Sequence, residues 1–213
     1  KCIWNSMRNL KRNGRISAEA FGISSIHRLL ILAKPWHVAG FTWMLMAEKT
    51  GCTYIFVKTE KGGEQDWLRA IQEVKPSHLL TVPAVLRSIY PAENWKVPVV
   101  ISGGSPVHQN DYGKLKGHTR SFCQAYGQTE AGGLISCYSF ELNMDISEQT
   151  RYRYGVPPPE VEVRCKGRST HPAPILIKSP TAVSSGFYNT GDLGYIDEMG
   201  QLFLVGRNKA DGN

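Results

Sequence analysis

The sequence predicts an α/β protein in which a parallel sheet with helices on both faces is followed by a smaller β-rich subdomain. Three observations indicate this fold. Between Leu29 and Gly127, short apolar runs alternate with longer amphipathic runs. The apolar runs recur at intervals of about 20 to 25 residues, the length that a crossover between parallel strands needs. After about residue 150 the chain becomes rich in proline, and short apolar runs are separated by turns.

Strands and helices are predicted to alternate in the first part of the chain. The helical run around Trp67 places Leu68, Ile71 and Val74 on the same face as that tryptophan, so this helix can cover a sheet. The predicted strands are LLILA, TYIFV, HLLTV, VPVVISGG and RSFCQAYG, and the helices between them are HVAGFTWMLMAEK, EQDWLRAIQEV, AVLRSIY and HQNDYGKLK.

The second part of the chain is predicted to be rich in strands separated by turns. Its apolar runs are VEVRC, PILIK, YID and QLFLV. The segment YRYGVPPPE, which is rich in turn formers, marks the change. We therefore expect an α/β subdomain over residues 1–150 and a β-rich subdomain over residues 151–213.

Composition predicts a cytoplasmic globular protein. The chain has 213 residues, of which 41% are hydrophobic and 20% are charged. The longest apolar run, Val38 to Ala47, is too short to span a membrane, and the first residues do not form a secretory signal. The five cysteines are scattered without a C-x-x-C pair, which predicts reduced thiols and neither a disulfide framework nor a zinc site.

The net charge of +7 leaves two interpretations open. A basic protein can bind nucleic acid by neutralising phosphates. Here the densest basic group, Arg8, Lys11, Arg12 and Arg15, lacks interleaved aromatic residues, and the other cations are spread along the chain. We therefore expect no nucleic-acid partner, and we expect the charge to favour small anionic ligands such as nucleotides.

Two glycine-containing segments follow predicted strands, where an open parallel sheet binds its ligands. SGGSP, residues 102–106, allows the backbone to approach a ligand closely, although a structural turn capped by Ser105 would look the same. YGQTE, residues 126–130, combines an aromatic ring, a hydroxyl and a carboxylate. The alternative there is a turn in which Thr129 caps a helix.

Five segments, taken in order, resemble the motif series of the adenylate-forming superfamily, which contains acyl- and aryl-CoA ligases, peptide-synthetase adenylation domains and luciferases. They are PWHVAG (35–40), SGGSP, YGQTE, YNTGDLGYIDEMGQL (188–202) and GR (206–207). The resemblance implies that ATP and Mg²⁺ activate a small carboxylic acid as an acyl-adenylate. The acyl group then passes to the thiol of coenzyme A or of a carrier protein.

The resemblance also implies roles for individual residues. Glu130 would bind Mg²⁺, Thr129 would contact phosphate, and Asp192 would accept hydrogen bonds from the ribose hydroxyls, although a turn residue is the simpler interpretation of Asp192 alone. His37 would lie near the acyl carboxylate, or would only start a helix. The other residues implied are Lys1 at the end of a phosphate loop and Gly103, Gly104, Ser105, Tyr126, Gly127, Gln128 and Arg207 around the nucleotide.

The chain departs from the family pattern at both ends. No Ser/Thr/Gly-rich phosphate loop precedes Lys1, and GRNKADGN lies near the family's hinge to a small C-terminal domain. We expect the chain to be the core of a longer ligase, with little activity alone. Two alternatives remain: a peptide-synthetase adenylation domain, which would need an acidic residue for an α-amino group, and a nucleotide-binding module without catalysis. No Asp lies in the PWHVAG, SGGSP or YGQTE segments, which favours an acid without an amine.

Overall fold

The computed structural model describes residues 3–57, 63–143 and 146–208. Helices and strands alternate in the first half, and strands dominate the second half. The helices are α1 (Met7–Phe21), α2 (Val38–Thr50), α3 (Glu64–Val74), α4 (Pro83–Ile89) and α5 (Gln109–Leu115), with a 3₁₀ helix at Glu148–Tyr152. The strands are β1 (Arg28–Ile31), β2 (Thr53–Phe56), β3 (His78–Thr81), β4 (Val99–Gly103), β5 (Ser121–Gln128), β6 (Gly133–Glu141), β7 (Glu162–Arg164), β8 (Ala173–Lys178), β9 (Tyr188–Ile196) and β10 (Leu202–Arg207).

The first sheet is mostly parallel. Its strand order is β2-β1-β3-β4-β5-β6, and β1 to β5 pair in parallel. The prediction of these five strands and the four helices between them is confirmed. β6, which the sequence analysis did not assign, pairs antiparallel with β5 and extends the sheet at one edge.

Helices cover both faces of this sheet. Leu29 and Ile31 pack with α1 and α2 on one face, whereas Leu30, between them, packs with α3, α4 and α5 on the other. This alternation follows from the two-residue period of a strand. The predicted apolar face of α3, which includes Trp67, packs into the second of these layers.

Helix α1 was not predicted from the sequence. It begins at the N-cap Ser6, whose hydroxyl accepts a hydrogen bond from the Asn9 N–H, and ends at Gly22 in the left-handed conformation. At Gly14 a Cβ atom would stand 3.0 Å from the backbone nitrogen of Met46. The glycine therefore lets α1 approach α2 closely.

Asn13 joins α1 to the edge of the sheet. Its side chain is fully buried and accepts a 2.9 Å hydrogen bond from the backbone N–H of Leu134. The same amide donates to the Leu134 carbonyl at 3.0 Å and contacts the Thr181 hydroxyl at 3.3 Å. One side chain thus satisfies both backbone groups of a residue at the start of β6.

The second sheet is antiparallel, in the order β10-β9-β8-β7. It packs against the first sheet through a shared apolar cluster in which Tyr126 and Ile135 meet Tyr154, Ile175 and Leu202. Because the two sheets share this cluster, the division of the chain near residue 150 stays a prediction.

Two further expectations concern membrane-spanning segments and the cysteine thiols. None of the helices within the three described ranges has the combination of length and apolar character that crossing a bilayer requires. Cys52, Cys123, Cys137 and Cys165 are free thiols, and Cys2 lies outside the described residues.

We expect Asn13→Ala to lower the free energy of unfolding by about 2 to 3 kcal/mol, because it leaves the buried N–H and C=O of Leu134 without partners. Urea denaturation measures the change. Asn110→Ala, at an exposed position of α5, is the matched control and should stay within about 0.5 kcal/mol of the wild type. Equal effects of the two substitutions would show that Asn13 does not hold this edge.

Candidate functional site

A large cavity of about 500 Å³ lies where β4 and β5 end, between the two sheets. Gly104, with φ of 87°, turns the chain away from the sheet directly after β4. The first sheet and the 3₁₀ helix supply one side of the large cavity, and β9 and β10 supply the other. Its lining residues are Gly104, Ser105, Pro106, Val107, His108, Ala125, Tyr126, Gly127, Gln128, Arg151, Tyr152, Tyr154, Asp192, Leu204, Val205, Gly206 and Arg207.

The carboxylate of Asp192 links the two sheets at this cavity. Its Oδ2 accepts a 2.6 Å hydrogen bond from the Tyr126 hydroxyl and a 2.7 Å hydrogen bond from Nε2 of Gln128. The Gln128 amide also donates to the backbone carbonyl of Thr190 at 2.9 Å. Two residues of the YGQTE segment therefore bind one strand of the second sheet.

The electrostatics of this pair keep Tyr126 protonated. Burial raises the pKa of Tyr126 far above its ordinary value, and the negative charge of Asp192 and the hydrogen bond to it raise the pKa further. Burial, followed by the negative charge of Asp192, raises the pKa of the neighbouring Tyr154 to about 12. Both phenols are therefore neutral hydrogen-bond donors at physiological pH.

Arg207 stands opposite Asp192 across the β9–β10 pair. A bulge between Leu204 and Gly206 sets this register, and the Nε of Arg207 lies 3.4 Å from Oδ1 of Asp192. The arginine side chain is 76% exposed, so this ion pair is weak. Oδ1 thus keeps an acceptor position for a ligand, whereas Oδ2 already accepts two hydrogen bonds.

A small cavity of about 50 Å³ adjoins the large one. The two share Gly104, Ala125, Tyr126 and Gly127, which form their common wall. The remaining residues of the small cavity are His37, Val38, Ala39, Thr42, Trp43, Gly103, Gly133 and Leu134.

Glu130 lines a third cavity, of about 320 Å³, together with Gln128, Tyr188 and Arg207. Glu130 lies in the turn between β5 and β6, and its backbone carbonyl accepts a hydrogen bond from the Val183 N–H at 2.9 Å. Burial, followed by the charges of Glu130 and Asp192, raises the pKa of Tyr188 well above its ordinary value. This carboxylate therefore faces a pocket that continues from the large cavity past Gln128 and Arg207.

Most of the residues singled out by sequence lie together. Gly104, Ser105, Tyr126, Gly127, Gln128, Asp192 and Arg207 line the large cavity, His37 and Gly103 line the small one, and Glu130 lines the third. Thr129 lies in the exposed turn beside Glu130. Lys1 lies outside the described residues.

The structure decides four simpler interpretations, of Thr129, Ser105, Asp192 and His37. No helix follows Thr129 before β6 begins at Gly133, so its role as a helix cap is wrong. Ser105 is not a helix cap either, because α5 has His108 as its N-cap. Asp192 belongs to strand β9 and not to a turn before the hairpin. His37 does cap α2, accepting from the Ala39 N–H at 3.4 Å, and lines the small cavity as well.

One wall of the large cavity was not predicted from the sequence, and it is formed by Arg151 and Tyr152 of the 3₁₀ helix. The buried side chain of Gln124 holds this helix by donating to the carbonyls of Thr150 and Arg153. The only signal in the sequence is the position of Gln124, a polar residue inside an otherwise apolar strand.

The donor set fits Mg²⁺ only if the substrate completes it. Within the described ranges, no group of three or more His, Cys, Asp or Glu side chains could hold a metal ion. Mg²⁺ typically takes one or two protein carboxylates and completes its shell with phosphate oxygens and water. Glu130, a single carboxylate lining a cavity, meets that requirement.

The fold and these cavities define an α/β protein with a candidate ligand site at the carboxyl edge of a mostly parallel sheet. The chain belongs to the family of AMP-binding enzymes, since the family profile with that description matches residues 1–188. Among curated proteins it is similar to a 2-succinylbenzoate–CoA ligase of Enterococcus faecalis, at 22% identity over 97% of this chain and 46% of that protein.

Solved structures share the fold. One is the O-succinylbenzoate coenzyme A synthetase of Bacillus subtilis in complex with ATP and magnesium ion, with a TM-score of 0.79, 21% identity, and coverage of 95% of this chain and 46% of that one. Another is the adenylation domain of a keto acid-selecting NRPS module bound to keto acyl adenylate, with a TM-score of 0.83, 19% identity, and coverage of 98% and 50%. The chain spans less than half the length of the curated relatives it matches.

We expect Asp192→Ala to lower the free energy of unfolding by about 1 to 3 kcal/mol, because the buried hydroxyl of Tyr126 and the Gln128 amide lose their acceptor. Arg207→Ala removes the exposed partner of the same carboxylate and should change the free energy by less than about 1 kcal/mol. Thermal and urea denaturation of both variants decide the matter. If Arg207→Ala lowered the free energy of unfolding more than Asp192→Ala, the hydrogen bonds from Tyr126 and Gln128 to Asp192 would not be the contacts that stabilise this junction.

Proposed function

We propose that the intact protein joins a carboxylic acid to AMP, using ATP, and transfers the acyl group to the thiol of coenzyme A. The adjacency of the two cavities carries this proposal. A cavity large enough for a nucleotide, with Asp192 and Arg207 in its lining, and a small apolar cavity share the wall made by Gly104 and residues 125–127. An acyl-adenylate likewise consists of a nucleotide and an acyl group, and the phosphate of the nucleotide joins them. Family membership supports the nucleotide as the occupant of the large cavity.

In the first step, a carboxylate oxygen of the acid forms a bond to the α-phosphorus of ATP. The bond from that phosphorus to the bridging oxygen of the β-phosphate breaks, and pyrophosphate leaves with the electron pair. In the second step, the thiolate sulfur attacks the acyl carbon, the carbon–oxygen bond to AMP breaks, and AMP leaves. A proton from the thiol is released to solvent or a base.

Asp192 binds the ribose in this proposal. Its Oδ2 is occupied by Tyr126 and Gln128, so the ribose hydroxyls donate to Oδ1, beside Arg207. The exposed guanidinium of Arg207 can swing toward the ribose or the phosphate without breaking a buried contact. The glycines of the SGGSP segment and Ser105 let the nucleotide lie against the backbone, as does Gly127.

The residues of the turn after β5 stabilise the negative charge of the phosphates in this proposal. A carboxylate that approaches a polyphosphate is repelled, so cationic and N–H or O–H groups must lower the barrier. Mg²⁺ bound by Glu130 would supply Lewis-acid stabilisation of the phosphate charge. The Thr129 hydroxyl donates to phosphate from the same turn, and His37 lies at the small cavity, where the acyl carboxylate enters. Lys1 is assigned to a phosphate loop that precedes the described residues.

Coenzyme A is the proposed thiol, with a carrier protein as the alternative. No Asp or Glu is found among the described residues that line the small cavity, so the substrate is an acid without an α-amino group. We propose a cytoplasmic location, where thiols such as those of Cys52, Cys123, Cys137 and Cys165 stay reduced. We also propose that the chain divides near residue 150 into a nucleotide- and acyl-binding subdomain and a β-rich subdomain.

The ribose assignment predicts that Asp192→Asn weakens AMP binding by about 10- to 100-fold, because an amide replaces an acceptor that faces ribose hydroxyls. The substitution should weaken binding of 2′,3′-dideoxy-AMP much less. Isothermal titration of both ligands to the wild-type and variant proteins measures the four affinities. An equal loss for the two ligands would place the ribose elsewhere.

The metal assignment predicts that Glu130→Gln lowers carboxylate-dependent pyrophosphate release by on the order of a hundredfold, because a neutral amide is a poorer Mg²⁺ ligand than a carboxylate. Glu198→Gln, at the exposed turn between β9 and β10, is the control and should behave like the wild type. The assay uses the intact protein with aliphatic and aromatic acids, and with coenzyme A present or absent. Near-wild-type release by Glu130→Gln would remove this residue from the chemistry.

A further inference from the structure

The small cavity is lined by apolar groups, and its volume limits what it can accept. We infer, on the basis of the proposed function, that the substrate is a short aliphatic acid. Its chain has about two to four carbon atoms, and its tail carries no charge. Trp43 and Leu134 set this limit. The composition of the cavity, the rigidity of its walls and its volume each restrict the ligand.

The walls of the small cavity are apolar even where a polar residue contributes. The hydroxyl of Thr42 donates to the Val38 carbonyl at 2.8 Å and to the Ala39 carbonyl at 3.2 Å, so it is turned back onto α2. Its Cγ2 methyl stands 3.2 Å from the place that a Cβ of residue 133 would occupy. Thr42 therefore presents a methyl group toward Gly133.

Trp43 and Leu134 form the far walls of the small cavity, and buried contacts hold both residues in place. Trp43 and Leu134 are both buried in the apolar cluster between α2 and the sheet. The two backbone hydrogen bonds from Asn13 fix Leu134. Gly133 has φ of 133°, and a Cβ there would lie 2.3 Å from Oδ1 of Asn13, so this segment has no room to shift toward α1. A longer ligand cannot displace these walls without breaking buried contacts.

Among the described residues, two ionisable side chains line the small cavity, His37 and Tyr126, and Tyr126 is a neutral phenol whose hydroxyl donates to Asp192. His37 is exposed and caps α2, so it belongs to the solvent end of the cavity. A charged group at the far end of a ligand would find no partner, and burying an unpaired charge is strongly unfavourable. The ligand tail is therefore uncharged.

The volume then sets the length of the tail. An apolar cavity of about 150 Å³ is sufficient for one benzene ring in a protein core. The small cavity, at about 50 Å³, is a third of that size. An aromatic ring does not fit, and neither does a medium-length fatty acid. A tail of two or three methylene or methyl groups fills the space.

The test uses acyl sulfamate analogues of acyl-adenylate with acetyl, butanoyl, octanoyl and benzoyl groups, titrated calorimetrically into the intact protein. Ala39→Leu adds bulk on the α2 face that carries Thr42 and Trp43, and Trp43→Phe removes bulk from the far wall. The matched control for the first variant is Ala84→Leu, since Ala84 is exposed and is also the second residue of a helix. AMP alone reports on the large cavity.

For the wild type we expect butanoyl to bind at least tenfold more tightly than octanoyl or benzoyl. Ala39→Leu should weaken butanoyl binding at least tenfold and leave AMP within about twofold, while Ala84→Leu changes neither. Trp43→Phe should narrow the gap between butanoyl and octanoyl. Octanoyl or benzoyl binding as tightly as butanoyl to the wild type would overturn the size limit and leave the proposed function intact. If the folded protein bound none of the analogues and no AMP, both proposals would be overturned.

Discussion

The structure depends on one carboxylate, Asp192, held at the junction of the two sheets. A carboxylate that is mostly removed from water is costly unless hydrogen bonds replace its hydration. Tyr126 and Gln128 supply them from the end of β5, and their donation fixes the second sheet against the first. The large cavity exists because this contact closes one side of the crevice and leaves the other side open. The same contact leaves one oxygen of the carboxylate available to a ligand.

The two cavities meet at a backbone segment where side chains are small. Gly103 and Gly127 each approach another strand so closely that a Cβ would lie 3.0 Å from the Ala125 carbonyl and 2.4 Å from the Gly133 carbonyl, respectively. These glycines allow β4, β5 and β6 to converge beside Tyr126. A reaction that joins an acyl group to a nucleotide needs both ligands within bonding distance, and this convergence brings the two cavities together.

The sequence predicted the first sheet and its helices well, because each buried strand is a short apolar run and each helix has a clear apolar face. It missed α1, whose packing on α2 depends on Gly14, a residue that usually disfavours helices. It missed β6, which begins at the second of two consecutive glycines, a residue type that is uncommon in strands. For the site, the motif residues were found, but Arg151 and Tyr152 were not, because the buried hydrogen bonds of Gln124 that position them connect segments distant in sequence.

The most direct test of the central role of Asp192 is a crystal structure of the intact protein with a short-chain acyl sulfamate analogue of acyl-adenylate. The ribose hydroxyls should lie within hydrogen-bond distance of Oδ1 of Asp192, with the hydroxyl of Tyr126 still donating to Oδ2. The acyl tail should occupy the small cavity beside Trp43 and Leu134. A nucleotide bound away from Asp192, or a Tyr126 hydroxyl that leaves Asp192 to bind the ligand, would contradict this arrangement.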